Sequence, residues 1–330
     1  MRLVKYLFII FMLGLLSVCV KCQSSPDSTT QKLIKNVAAK FAEARPVNVE
    51  YNYNSDFSFA PKAKSSSLAN GKVTRFSGLR TNLNYTIAKN RKWIVSTSFQ
   101  YRMASISANY KPDEAPVYKL LEDRHHYHAT SANITYISRL FGKPAFYTGS
   151  FIVDGSDKGF ERFKALGVGT LLLKANARTK MAIGLSLFYD PGAQLPVFPI
   201  FTLEHKFKDG LTADIVFPQQ ILVRKIVNKK GRFSAGMQMD KTNFYLYNSS
   251  NTPGLRTSEF RGVDCNNGFI YEHLLSDNIV LTTKAGSRLS VMGRAFEKST
   301  NSGSPFYDGS LKPGFYFNVG LSGNPFVKKK

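Results

Sequence analysis

Apolar and polar residues trade places at nearly every step along much of this chain. In Leu79, Thr81, Leu83, Tyr85 and Ile87 one set of positions is apolar or neutral, while Arg80, Asn82, Asn84 and Thr86 interleave. The next segment repeats the pattern, with Trp93, Val95, Thr97, Phe99, Tyr101 and Met103 against Ser96, Ser98, Gln100 and Arg102. Further examples are Met181, Ile183, Leu185, Leu187 and Tyr189, then Phe233, Ala235, Met237 and Met239, and finally Phe315, Phe317, Val319 and Leu321. A period of two places successive side chains on opposite faces of a pleated strand, and a helix of period 3.6 does not reproduce it.

Short and long connections alternate between these segments. The short ones fall near 88–91, 141–144, 175–179, 208–210, 228–231 and 276–278, and carry Gly, Asn, Asp or Lys. The longer ones fall near 60–72, 110–126, 154–164, 190–196, 247–256 and 297–312. Pro218-Gln219 breaks the alternation, because two strands of only seven or eight residues would meet there. The pattern predicts an all-β fold: a transmembrane, up-and-down antiparallel β-barrel of about 14 strands, with 12 as the alternative if that proline kinks one strand. Short turns on one rim and long loops on the other are the mark of such a barrel, and both termini then share the short-turn, periplasmic rim. A soluble β-sandwich is the competing fold, but its strands usually run to five or six residues, whereas several here reach ten. The 26 Phe and 16 Tyr, against a single Trp, suit interface girdles and a sandwich core alike.

Ahead of the strands, residues 1–22 read as a signal peptide: Arg2 and Lys5, an apolar run from Tyr6 to Val18, then Val20-Lys21-Cys22 before Gln23. That run is too short for a membrane-spanning helix, which needs about 20 apolar residues. Cleavage after Cys22 fits better than lipidation of Cys19 or Cys22, which would follow a small residue. The remaining chain keeps only Cys265, so no internal disulfide staples it. Residues 23–45 form a separate N-terminal periplasmic segment, in which Leu33, Ile34, Val37, Ala38, Phe41 and Ala42 recur at helical spacing before Pro46. A cap on the lower rim is the favoured position of this short helix, with a plug in the lumen as the alternative. Residues 46–330 are the barrel.

The leader ending in Cys-Gln, the alternating segments, the run Leu211-Thr212-Ala213-Asp214-Ile215-Val216-Phe217-Pro218, and Ile221-Leu222-Val223-Arg224-Lys225 with Phe233-Ser234-Ala235-Gly236 resemble the uncharacterised outer-membrane barrel families of the Bacteroidota. The resemblance covers most of the chain after the leader. It implies location and fold and brings no catalytic residues. The chain departs from the usual outer-membrane pattern in lacking a terminal strand that ends in Phe, since Leu321 is followed by Ser-Gly-Asn-Pro-Phe-Val-Lys-Lys-Lys.

Charge changes the picture next. The formal net charge is +23, and removal of Arg2, Lys5 and Lys21 with the leader leaves about +20. Such a field attracts anions: phosphates of outer-membrane lipid and lipopolysaccharide, or small anionic solutes in a lumen. Nucleic acid is not expected, because export removes the chain from it and no binding motif is present. Opposite the apolar faces stand Arg80, Arg102, Arg139, Lys284, Arg288 and Arg294. They either line an anion-attracting channel or pair with Asp214, Glu204, Asp240 or Asp264 across a packed interior. His125-His126-Tyr127-His128 could place two imidazoles on one side of a strand, yet no neighbouring Asp, Glu or Cys fixes a metal geometry, and a solvated loop mouth is the expected setting. No Gly-x-Ser-x-Gly elbow, His-Glu-x-x-His helix or phosphate-cradling glycine loop occurs, so neither a catalytic site nor a cofactor is expected. The sequence therefore points to a passive pore or small-solute transporter of the bacterial outer membrane that favours anions. A non-conducting structural or surface-display barrel comes second, and a lipid-modifying enzyme third.

Overall fold

In the computed structural model, residues 28–61, 71–110, 119–190, 197–228, 230–247, 257–297, 305 and 307–323 are described, so the leader, with the expected cleavage after Cys22 and the alternative of lipidation at Cys19 or Cys22, lies outside the described residues. A helix, α1 (Ser28–Lys40), and a 3-10 turn (Ala42–Ala44) precede the sheet. The strands are β1 (Val47–Asn54), β2 (Phe57–Pro61), β3 (Gly71–Lys89), β4 (Trp93–Tyr110), β5 (Lys119–Leu140), β6 (Lys143–Ser156), β7 (Gly159–Ala175) and β8 (Thr179–Tyr189). They continue as β9 (Val197–Lys206), β10 (Leu211–Phe217), β11 (Gln220–Val227), β12 (Gly231–Tyr247), β13 (Thr257–Ser276), β14 (Ile279–Glu297), β15 (Tyr307–Leu311) and β16 (Gly314–Gly323).

From β3 to β14 each strand pairs antiparallel with its chain neighbours, and the sheet closes on itself. β1 and β2 both lie against β3, and β15 and β16 both lie against β14, so each couple occupies one position in the wall. Pairing of β1 with β16 and of β2 with β15 completes the ring. Sixteen strands thus make a barrel of 14 positions. The Pro218-Gln219 pair forms a true turn between two strands, since Val216 pairs with Gln220, and this decides for fourteen over twelve. Val47 pairs with Gly323, so both ends of the wall reach the same rim, which we call the lower one.

The lower turns are tight for local reasons. Asn90 Oδ1 accepts from the amides of Lys92 (2.9 Å) and Trp93 (2.8 Å), and Asn176 Oδ1 does the same for Arg178 (3.0 Å) and Thr179 (2.6 Å). Phe141 and Gly142 both take positive φ (52° and 73°), the twist that a two-residue hairpin needs. One expected long connection is absent: β6 and β7 meet through residues 157–158, with Ser156 paired to Gly159, where a loop over 154–164 was expected. Val153 and Phe163 continue the ladder through that stretch, and its charged residues belong to strands. Likewise β5 begins at Lys119, so the histidine cluster lies within a strand instead of at a loop mouth.

Outward positions are apolar. Val49, Tyr51, Tyr53, Leu83, Leu185, Leu187, Phe269, Phe317 and Leu321 are all exposed on the outer wall, while Asn48, Glu50, Arg80, Asn82, Thr282 and Asn318 are buried inside. This inverts the polarity of a soluble barrel and matches a wall that faces lipid.

The upper rim is uneven. β5 has 22 residues and β10 only 7. At about 3.3 Å per residue and a tilt of about 45°, seven residues rise only about 16 Å, less than the roughly 25 Å apolar band of a barrel in lipid. Above this low stretch two strands overhang. β12 runs on to Tyr247 although its pairing with β11 stops at Gln238, and β5 extends past its pairing with β6 at His128. The overhanging parts lean across the lumen and meet: the Phe244 ring stacks on His125 with centroids 4.4 Å apart, and Tyr245 faces Tyr127 at 6.3 Å. On the tall side, Phe57, Val73 and Ala108 form a small apolar core with Phe59, Phe76, Ile106 and Leu311.

Gly268 and Gly286 are register partners on β13 and β14. A Cβ on Gly286 would lie 2.0 Å from the Asn267 carbonyl oxygen and 2.7 Å from Gly268 Cα. We expect Gly286→Ala to cost about 2 kcal/mol, as overpacking against backbone does. Gly149→Ala, where nothing lies within 4 Å, should be neutral. Urea unfolding followed through the single Trp93 measures both.

Candidate functional site

The interior is crossed by ion pairs at three levels. The lowest is built by the N-terminal segment. Its last residues, Lys40 to Arg45, reach charged side chains on the inner face of the wall. Lys40 Nζ lies 2.7 Å from Asp214 and 3.3 Å from Glu204, on adjacent strands β10 and β9. Arg45 reaches Glu272 on β13 (2.5 Å) and donates to Ser322 Oγ on β16 (2.6 Å). Glu43 accepts from Arg80 on β3 (2.8 Å). Wall residues answer: Asn84 Nδ2 donates to the carbonyls of Glu43 (2.8 Å) and Arg45 (2.7 Å), Arg232 Nη2 to that of Ala39 (2.7 Å), and Arg224 Nη2 to that of Lys40 (3.3 Å). A strap of six residues, 40–45, is thereby tied to β3, β9, β10, β11, β13 and β16. Pro46 then leads directly into β1 at the lower rim.

At mid-height stand four of the cations named from the sequence. Arg80 also binds Asp240 (2.7 Å), so it joins the lower and middle levels. Lys284 lies 3.6 Å from Glu50, whose carboxylate also accepts from Asn48 (3.2 Å) and Asn318 (3.0 Å). Arg288 sits 3.8 Å from Asp264, with its guanidinium 3.9 Å above the Phe57 ring. Arg102 differs: its Nη1 donates to the Lys241 carbonyl (2.5 Å), and among the described residues no carboxylate lies within salt-bridge distance of it. The remaining two do not join this group. Arg294 pairs with Asp308 near the upper rim (2.9 Å), and Arg139, although on the inward set of β5, is exposed at the lower rim.

The top level escaped sequence reasoning altogether. Asp154 on β6 accepts from the phenols of Tyr127 (3.0 Å) and Tyr245 (2.9 Å) and lies 2.6 Å from Lys164 on β7. Glu259 on β13 joins Arg162 (2.9 Å) and Arg261 (2.7 Å). Asp190, just past β8, lies 3.4 Å from Arg162, 3.5 Å from Lys164 and 3.3 Å from Arg261. Three carboxylates thus face three cations, and Asp154 (1% exposed) and Glu259 (0%) are sealed from water. The network links β6, β7 and the end of β8 to β12 and β13 across the gap above the short strands β9–β11.

Of the histidines, His126 Nδ1 is 2.8 Å from the Tyr101 hydroxyl, and His205 Nδ1 is 2.9 Å from Thr179 Oγ1 with its ring edge-on to Phe207. Among the described residues no group of three His, Cys, Asp or Glu could hold a metal ion together. Cys265 is a free thiol.

Two signals could have found the missing residues. Glu50 stands on the polar set of an alternating run, between Asn48 and Asn52 and opposite Val49, Tyr51 and Tyr53. Asp154, Arg162 and Lys164 share a parity across a two-residue turn, which a loop assignment had hidden.

Removing one partner from a sealed network strands the others. Lys164→Met should cost about 3 kcal/mol or more, and the double variant Lys164→Met/Asp154→Asn should cost less than the two single changes together. Urea midpoints of the four proteins form the cycle that checks it.

No family model matches the chain, and no curated protein does. Among solved structures it is similar to an outer membrane channel from Pseudomonas putida F1 (10% identity, 83% of this chain and 93% of that chain, TM-score 0.36). It is also similar to the P. putida toluene transporter TodX (8% identity, 83% and 88%, TM-score 0.34) and to the transport unit of the autotransporter AIDA-I from Escherichia coli (9% identity, 84% and 90%, TM-score 0.32). At these values the likeness carries no argument about what the lumen of this chain does.

Proposed function

We propose that this chain is an integral outer-membrane β-barrel that is closed to small solutes, and that it serves as a non-enzymatic envelope and surface-display barrel instead of a passive anion pore. The observation that carries this reading is the strap 40–45, bonded to six strands in the lower lumen, beneath a second and a third level of ion pairs. A conducting anion pore needs cations whose charge is open to the solute. Here Arg80, Lys284, Arg288 and Arg294 each face a carboxylate of the same chain.

The barrel's orientation follows from its rims. The short-turn rim, with both ends of the wall, faces the periplasm, and the tall side formed by β3–β5 and β12–β14 stands outside. Much of the positive charge then gathers on the periplasmic rim, where Arg91, Lys92, Arg139, Lys143, Lys174 and Lys208 are exposed. These cations meet the phosphates of inner-leaflet lipid, each contributing on the order of 1 kcal/mol. Lipopolysaccharide phosphates meet fewer of them than the sequence alone suggests.

The deciding measurement is current through the refolded chain, without its leader, in a planar bilayer in KCl. We expect a heat-modifiable, inserted barrel that passes no steady current. Steady, anion-selective steps that weaken when Lys284, Arg288 and Arg294 are neutralised would return the lumen to the pore reading.

A further inference from the structure

Between the lower and upper levels the lumen keeps a cavity of about 60 Å³. Arg80, Arg102, Lys241 and Arg288 line it, and so do Asp240 and Asp264. Lys241 is exposed and on the outward set of β12, with its carbonyl oxygen turned to Arg102, so three guanidinium groups and two carboxylates face the cavity. Asp240 and Glu43 both pair with Arg80, and Asp264 lies beside Arg288, so the carboxylates serve two of the three guanidinium groups. Lys284 does not alter the balance, since Glu50 answers it.

Arg102 is the guanidinium left without a carboxylate at salt-bridge distance among the described residues. Its Nη1 is held by a neutral carbonyl oxygen, and its buried Nε has no hydrogen-bond partner among the described residues. Nearby donors are also unspent: Arg80 Nε, and both Nε and Nη2 of Arg288, whose side chain is only 3% exposed. A guanidinium without a directly paired counter-charge inside a closed lumen is unfavourable, and removal of its proton offers no relief, because arginine stays charged. A cavity needs about 10–15 Å³ of such space for each water-sized occupant, so this one admits a few waters or one small ion.

We propose that the cavity is a binding site for one small monovalent anion, a halide or a short carboxylate, held by Arg102 with Arg80 and Arg288 around it. The two lining carboxylates keep the site from gathering a second charge and disfavour a divalent oxyanion. This inference rests on the closed-lumen reading: in an open channel the same cations would exchange ions with bulk solution and hold none in place.

The test uses the full chain without its leader, folded in detergent, in sodium bromide. Anomalous diffraction at the bromine edge should give one peak among Arg80, Arg102 and Arg288. In solution, at constant ionic strength, chloride, bromide and formate should raise the unfolding temperature by about 5 °C over gluconate, an anion too large for the cavity. Arg102→Gln should lose that difference, and Arg102→Lys should keep part of it. Absence of the bromide peak overturns the proposal, as does an equal halide effect in Arg102→Gln. If that variant fails to fold, the wild-type peak and the chloride-against-gluconate difference decide together, and both must be present. Bilayer conductance separates the two failures: a silent barrel without bromide sinks the anion site alone, whereas steady current sinks the closed lumen on which it rests.

Discussion

A backbone amide or carbonyl that faces lipid has no water to bond to, and each one left bare costs several kcal/mol. That single requirement forces the rest of this structure. An open sheet with an apolar outer face would present two unpaired edges to the bilayer, so the first strand must find the last. β1 does this by pairing with β16 over its whole length, from Val47 with Gly323 to Asn54 with Tyr316, while holding β3 on its other side. β2 and β15 extend the seam upward past the break in each strand. Closure in turn fixes the inside and the outside of every residue, because a shift of one position would turn Arg80 and Glu50 into lipid and Leu79 and Tyr51 into the lumen.

Once the wall is closed, the interior becomes a confined volume in which charge must balance locally. The chain is strongly basic, yet carboxylates meet its inward cations at every level: Lys40, Arg45, Arg224 and Arg232 with Asp214, Glu204 and Glu272; Arg80 and Arg288 with Asp240 and Asp264; and three cations with three carboxylates at the top. Much of the excess sits where water and lipid phosphates can reach it, on the short-turn rim. Net charge alone therefore says little about a lumen. What matters is which cations share a parity and a height with a carboxylate, and a charge total contains neither.

This explains what could be read from the chain and what could not. Alternation fixed which residues of β3, β4, β8 and β16 face outward, because one-sided burial writes a period of two into the sequence. Turn residues such as Asn90, Gly142 and Gly210 marked the lower rim for the same local reason. Strand length at the top was harder, since nothing nearby distinguishes a polar strand from a polar loop once it rises past the lipid. Residues 119–126 and 154–164 were misjudged on that account, and with them Asp154, Arg162 and Lys164. Ion-pair partners across the lumen were least legible of all. Lys40 and Asp214 are 174 residues apart, and their meeting depends on barrel size and strand tilt together.

The gap above β10 and β11 shows why the top level takes the form it does. Seven- and eight-residue strands leave the wall low on one side, and β12, deprived of its neighbour beyond Gln238, has an edge to cover. Leaning onto β5 covers it with aromatic rings on both faces, Phe244 on His125 and Tyr245 on Tyr127. That movement carries Tyr245 and Glu259 toward β6 and β7, where two apolar surfaces could have met and slid. Asp154 and Glu259 prevent the slide. Each accepts from donors on separate strands, so a displacement of one residue would break several charge-assisted bonds at once and leave a buried carboxylate bare. A sealed ion-pair network is a poor choice for stability per unit volume, but it is an effective way to hold a leaning strand in one register. We therefore expect its conservative disruption to loosen the lean of β12 before it unfolds the barrel below. The fourteen-position wall beneath has its own closed hydrogen-bond ring and does not depend on the lean.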